Sequence, residues 1–308
     1  MKTISESILD WMEKYKRNSV KPATFDRLET SYKAMLHYGI AQVRLYDLRA
    51  EDIQTYINQL VRDGYALSTI KKQYVLLTAF LKFAYAQGII DNPVYLAVNM
   101  PVEDAVKKPA KKIETYNLME QGKLNRVLNT LDDRLYGAAI LMLETGMRVG
   151  EVLALTWDDV NWDRRAISVG KTLVRLPNEQ NNLFVQSSPK SKSSKRTIPL
   201  NNKAIDVLSR LAQETKGSEF IFYDDRSPSR PCTYDQLRFR LQMACEAAGV
   251  PYKGNHVFRH TFATNCYNRG CDVKILSKLL GHANVGITYN IYIHLYGDAL
   301  EEMRSVVG

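Results

Sequence analysis

The chain has 308 residues, 45% of them hydrophobic and 24% charged, which excludes bulk disorder and leaves room for two domains with real cores. Its 42 Lys and Arg against 33 Asp and Glu give a net charge of +9, a moderate excess that favours a polyanionic partner, nucleic acid or a lipid surface. The longest apolar stretch, Tyr74 to Ala86, is interrupted by Thr78 and Lys82 and is too short for a membrane span. The first seventeen residues lack the apolar run of a signal peptide, and the 4 cysteines fit a soluble protein of a reducing cytoplasm.

The first hundred residues are expected to be all-helical, a bundle of four to five helices. Ile4, Ile8, Leu9, Trp11 and Met12 recur at helical spacing. Pro22 suits a helix start, with Phe25, Leu28, Tyr32, Met35 and Leu36 following on one face. A third helix is predicted from Ala50 to Arg62, stopping at Gly64. A fourth, capped by Ser68 or Thr69, carries Ile70, Tyr74, Leu77, Leu81 and Ala84 to Gly88. Residues 101–115 break the pattern with two prolines and the basic cluster Lys107, Lys108, Lys111 and Lys112. This is a linker whose lysines are either solvated charge or, on a nucleic acid, phosphate contacts. From 116 to 308 a second domain is expected, with helices near 117–130, 134–144 and 148–156. A strand region follows from Ala166 to Leu200, turning at 178–182 and 189–195, then helices near 202–213, 233–247, 256–268, 272–280 and 284–291. The predicted class is mainly α with one small antiparallel sheet, α+β.

Four stretches carry chemistry. In Thr145-Gly146-Met147-Arg148-Val149-Gly150-Glu151, a glycine suited to sharp reversal precedes an arginine and a glutamate three apart on a new helix; alone, this is an ordinary ion pair at a helix start. In His256-Val257-Phe258-Arg259-His260, His256 and Arg259 share one helix face, while Phe258 and Phe262 share another. A metal site built from His256, His260, Cys266 and Cys271 is disfavoured, because no acidic residue lies between the histidines and the cysteine spacing matches no common zinc pattern. Leu279-Leu280-Gly281-His282 is followed by Tyr289, Tyr292 and His294. The basic, serine-rich segment Pro189 to Leu200 is a solvated loop or a tip that reaches into a groove, with Lys190, Lys192 and Lys195 as its flexible point charges.

Taken together and in this order, these boxes resemble the tyrosine recombinases, the phage-type integrases that include those of conjugative transposons. The resemblance covers nearly the whole chain and rests on Thr-Gly-x-Arg-x-x-Glu, a lysine hairpin ending Arg-Thr-Ile-Pro-Leu, His-x-x-Arg-His, Leu-Gly-His, and a tyrosine before x-His. It implies that Arg148 and Arg259 are the paired catalytic arginines and that Glu151 supports them. Lys190 is the hairpin lysine with Lys192 as its rival, His256 and His282 complete the site, and Tyr292 rather than Tyr289 is the nucleophile. The first hundred residues resemble the family's core-binding domain, and no small arm-binding domain is expected ahead of residue 1.

The implied activity is site-specific cutting and rejoining of double-stranded DNA for integration and excision of a mobile element, through a covalent 3′-phosphotyrosine. Two guanidinium groups would stabilise charge developing on the phosphate. A phenol of pKa ≈ 10 must lose its proton as it attacks, to His256 or to the phosphate, eased by neighbouring cations. Lys190 would protonate the leaving 5′ oxygen, and His282 would donate to a phosphate oxygen. The phosphotyrosine keeps the bond energy, so neither ATP, metal nor another cofactor is required. The two domains suit a clamp on duplex DNA, and a tetramer is the implied assembly, with room for an accessory DNA-bending or excision factor. The tail after Tyr292 has helical apolar spacing and packs either on a neighbouring protomer or on its own domain. Two other readings stay open on sequence alone: relaxation of one strand in the manner of a type IB topoisomerase, and a plain helix-turn-helix binding module over 256–291.

Overall fold

The computed structural model describes residues 2–103, 106, 114–130, 134–175, 183–186, 195–214 and 217–292. The chain is mainly helical with small antiparallel sheets and divides into two compact units, Met1–Lys111 and a second that begins at Lys112.

In the first unit, α1 (Ile4–Trp11) starts at a reciprocal cap: Thr3 Oγ1 accepts from the Glu6 backbone N–H and the Glu6 carboxylate accepts from that of Thr3. The helix widens to a π turn over Met12–Lys16. Pro22 is the first residue of α2 (Pro22–Met35), where its missing N–H has no helical partner to lose. α3 (Ala50–Arg62) ends before Gly64, as predicted. α4 (Leu67–Ala86) begins one residue ahead of the expected Ser68 or Thr69 cap; Ala66 holds the cap position and makes no side-chain bond there. Ile4, Ile8, Trp11, Met35, Ile53, Ile57, Leu77 and Phe80 fill one core. Leu9, expected on the buried face, is 41% exposed. Of the segment predicted as a linker, Val106 packs against this core, whereas Lys107, Lys108, Lys111 and Lys112 lie outside the described residues.

The second unit is built around α6 (Arg134–Thr145), an apolar helix buried along nearly its whole length. It packs against α5 (Leu118–Thr130), the one-turn α7 (Val149–Leu153), α8 (Asn202–Glu214), α9 (Tyr234–Ala247) and α10 (Asn255–Asn268). A helix hydrophobic all round belongs at the centre of a core. Where one sheet is predicted, the described residues form three small antiparallel sheets. β1 (Val160–Asn161), β2 (Ala166–Val169) and β5 (Arg196–Pro199) pair antiparallel, with Val169 opposite Arg196. β3 (Thr172–Arg175) pairs with β4 (Leu183–Gln186), and β6 (Tyr223–Asp224) with β7 (Ser227–Pro231). The turn expected at 178–182, and all of the one expected at 189–195 except Lys195, fall outside the described residues. The helix expected over 148–156 is shorter: extended Arg148 caps its start, and Ala154, whose N–H bonds to Val152 O, caps its end. α11 (Val273–Leu280) and α12 (Val285–Tyr292) follow, α11 capped by the Asp272 carboxylate and closed by left-handed Gly281. No helix among the described residues is long and apolar enough to cross a membrane.

Candidate active site

Segments far apart in the chain meet where α6 and α11 end. After Thr145, Gly146 turns at φ +65°, and a Cβ there would stand 2.3 Å from Phe262 Cδ1, so both backbone and space demand glycine. The reversal sets Arg148 just ahead of α7. Its backbone N–H donates to Glu151 Oε2 at 2.8 Å and its Nη1 to Oε1 at 3.0 Å. From β5, Arg196 takes the same carboxylate with a fork, Nη1 to Oε1 at 3.1 Å and Nη2 to Oε2 at 2.8 Å. Glu151 is 5% exposed. Burial opposes its ionisation, but the hydrogen bonds and charge of Arg196, then those of Arg148, outweigh burial and hold the carboxyl below its ordinary value. Glu151 offsets one unit of the positive charge that these side chains bring.

Arg259, on α10, is also 5% exposed. It donates through Nη1 to Gly146 O at 2.8 Å and through Nη2 to Leu280 O at 2.7 Å. Helix-terminal carbonyls lack partners inside their helix and carry the negative end of its dipole, so a cation is well placed there. The last turn of α11 repeats this pattern: Arg196 Nε donates to Leu279 O at 2.6 Å, and Arg148 Nη2 reaches Gly281 O at 3.4 Å. Three consecutive carbonyls thus each receive a different arginine. A Cβ on Gly281 would lie 3.0 Å from Arg196 Nη1, which explains the glycine of the Leu-Gly-His box. The Arg148 side chain stays 36% exposed, open to a ligand.

His282 follows directly. Arg259 Nη2 lies 2.8 Å from His282 Nε2, and a guanidinium only donates, so Nε2 accepts and the proton sits on Nδ1. Nδ1 then donates to Thr288 Oγ1 at 2.8 Å. Burial, then the charges of Arg259, Arg148 and Arg196 and the neighbouring His260, push the pKa of His282 down to about 4. His256, in the first turn of α10, keeps an exposed edge. Partial burial and then the charges of Arg259 and Arg148 lower its pKa, which sets it beside the same cluster.

The structure therefore gathers Arg148, Glu151, His256, Arg259 and His282. Tyr292 closes α12 as a backbone position, and Tyr289, on the same helix, is 47% exposed. Lys195 is exposed just before β5, whereas Lys190, Lys192 and the tail from 293 lie outside the described residues. The sequence motifs assign no role to two further members, Arg196 and Thr288. Arg196 stands in the Arg-Thr-Ile-Pro-Leu motif, but its carboxylate partner is 45 residues away, and Thr288 carries no motif signal beyond following Gly-His by a helical turn and a half. Among the described residues, no three His, Cys, Asp or Glu side chains are grouped to hold a metal ion.

The sequence model of the phage integrase family matches residues 117–298. The chain belongs to the phage integrase family. A relative in that family, the tyrosine recombinase XerC-like protein of Caldanaerobacter subterraneus subsp. tengcongensis, is 29% identical over 315 residues, covering 95% of this chain and 79% of the relative. Among solved structures, the Tn1549 transposon integrase in complex with transposon right end DNA superposes with a TM-score of 0.80 at 22% identity, over 100% of both chains. Lambda integrase, solved as a tetramer bound to a Holliday junction, gives a TM-score of 0.67 at 21% identity, over 92% of this chain and 78% of that one. Identities this low speak for a shared integrase fold.

Proposed function

We propose that this phage integrase family member is a site-specific DNA recombinase that integrates and excises a mobile element by cutting and rejoining strands through a 3′-phosphotyrosine at Tyr292. The observation that carries the reading is the convergence of Arg148, Arg259 and His282 on the last turn of α11, with the Arg148 guanidinium open to solvent.

A phosphodiester repels a nucleophile through its own charge, and the transition state concentrates more charge on the non-bridging oxygens. Guanidinium groups fixed before substrate arrives need no reorganisation to meet it. Glu151 and the α11 carbonyls fix them here, leaving a net positive pocket. Tyr292 attacks phosphorus; His256, whose lowered pKa keeps it neutral near pH 7, takes the phenolic proton; and Lys190 gives a proton to the departing 5′ oxygen. Attack by the freed 5′ hydroxyl on the phosphotyrosine reverses the step and restores the tyrosine. The first unit serves as the core-binding domain, the lysines of 107–112 lie along phosphates, and the synapse is a tetramer assembled on double-stranded DNA, in keeping with the relatives solved on DNA.

The test is a nicked suicide substrate that traps the covalent complex. The unaltered protein should yield an adduct that maps to Tyr292. Tyr292→Phe should still bind the DNA while adduct formation falls by roughly a thousandfold or more. An adduct that persists in Tyr292→Phe overturns the assignment.

A further inference from the structure

α12 carries a second functional group besides the tyrosine at its end. Thr288 is 1% exposed, and its Oγ1 stands 2.8 Å from His282 Nδ1. We propose that Thr288 is a positioning residue for recombination: its hydroxyl holds the His282 ring by Nδ1 and ties that ring to the helix ending in Tyr292. The proposal rests on the reading of Arg148, Arg259 and His282 as the phosphate site.

Arg259 donates to Nε2, so the edge of the imidazole nearest the arginines is an acceptor. An acceptor faces a phosphate oxygen badly. To take part in binding the reacting phosphate, Nε2 must acquire a proton. Either a proton is added to give the imidazolium, or the Nδ1 proton leaves to solvent while another arrives at Nε2, with no change in net charge. In the first case the Thr288 hydroxyl goes on accepting from Nδ1–H. In the second its O–H rotates and donates to the bare Nδ1. A hydroxyl serves both states without moving its oxygen, whereas a carboxylate would pin Nδ1–H and a methyl would bond to neither.

The surroundings explain why the partner is neutral. His282 is faced by Arg259 and His260 from α10, by Arg148 ahead of α7 and by Arg196 from β5. These groups oppose a charge on the ring until an anion joins them. A neutral hydroxyl leaves that balance to the incoming phosphate, so the ring changes state when DNA binds. The geometry also couples two parts of the site. Only the turn 283–284 separates His282 from α12, and Asn284 Oδ1 accepts from the Gly286 N–H at 2.8 Å as the helix begins. The bond between His282 and Thr288 spans that turn, and Tyr292 lies one helical turn beyond Thr288. Movement of α12 is therefore felt at the imidazole.

Full-length Thr288→Val and Thr288→Ser test this with two readouts: the ¹⁵N shifts of the His282 ring nitrogens in the free protein, and adduct formation against pH on the suicide substrate. Thr288→Val leaves the Nδ1–H without its acceptor, so it should shift the Nδ1 resonance, alter the pH profile and slow adduct formation about tenfold, as expected when a buried donor loses its partner, with DNA affinity preserved. Thr288→Ser should restore the nitrogen pattern and the rate. A Val variant with unaltered nitrogen shifts, pH profile and rate overturns the proposal. So does a folded Ser variant lacking both pattern and rate, which keeps the test decisive if the Val variant does not fold. Should the unaltered protein form no adduct at all, the recombinase reading fails, while the nitrogen shifts still decide whether Thr288 holds the ring.

Discussion

In the first unit, the buried polar side chains among the described residues are Ser5, Ser7, Ser31 and Gln73, all uncharged. Three of them bond to partners within the same unit: Ser5 Oγ donates to Ala41 O at 2.8 Å, Ser7 Oγ to Thr3 O at 2.7 Å, and Gln73 Oε1 accepts from Tyr56 OH at 3.1 Å. The second unit instead buries Glu151 and Arg259, with the Arg196 side chain 6% exposed beside them. A hydrogen-bonded hydroxyl or amide inside a core costs little. A buried ion loses several kcal/mol of hydration, which close partners only partly return. Packing alone gives a fold no reason to accept that loss three times within one turn of α11. The contrast separates a unit whose interior is arranged for cohesion from one whose interior is arranged to present charge.

The largest effect is expected from Glu151→Ala, which leaves two arginines crowded without their shared carboxylate. We expect about 3–5 kcal/mol of destabilisation in the second unit. Hydrogen exchange should show it in the amides of α7 and α11 but not in those of α3; equal losses in both units would mean that the ion network is not local.

Acid should act next, and in the same place. The folded pKa of His282 is about 4 against an ordinary 6.5, so the unfolded chain binds a proton that the folded one refuses. Stability of the second unit is then complete above about 6.5 and declines as pH falls toward about 4. Glu151 extends the loss to lower pH, because its depressed folded pKa withdraws stability as the carboxylate is protonated. His282→Asn should flatten the upper part of this slope in a pH series of hydrogen exchange, and an unchanged slope would assign it to another group. The smallest effect is expected in the first unit, where Tyr56→Phe removes one bond to Gln73 and should cost about 1 kcal/mol, read from exchange in α3 and α4.

Much of this fold is legible in the sequence because its helices announce themselves locally. Pro22 marks the first turn of α2, Gly64 the end of α3, and the run from Ala138 to Leu143 the central helix, since each signal lies within a few residues of the element it governs. The ladder of β6 and β7 is hidden because Ser227–Pro231 is short, proline-bearing and without apolar alternation. The separation of β3 and β4 from the other strands depends on pairing partners rather than on either segment's composition. At the site, Arg148, Glu151, His256, Arg259 and His282 stand out through short local boxes, either within the first turn of a helix or beside the glycine turn at a helix end. Their fastening does not: that Arg196 forks onto Glu151, or that Gly146 O and Leu280 O both serve Arg259, follows only once four segments have been folded onto each other.

The carbonyls of Leu279, Leu280 and Gly281 have a mechanical implication. Because one short stretch of backbone holds an arginine from each of three separate segments, these cations cannot drift independently; a slight screw of α11 would carry all of them in step. Such a common mounting makes the pocket an all-or-nothing object, either aligned or spoiled as a whole.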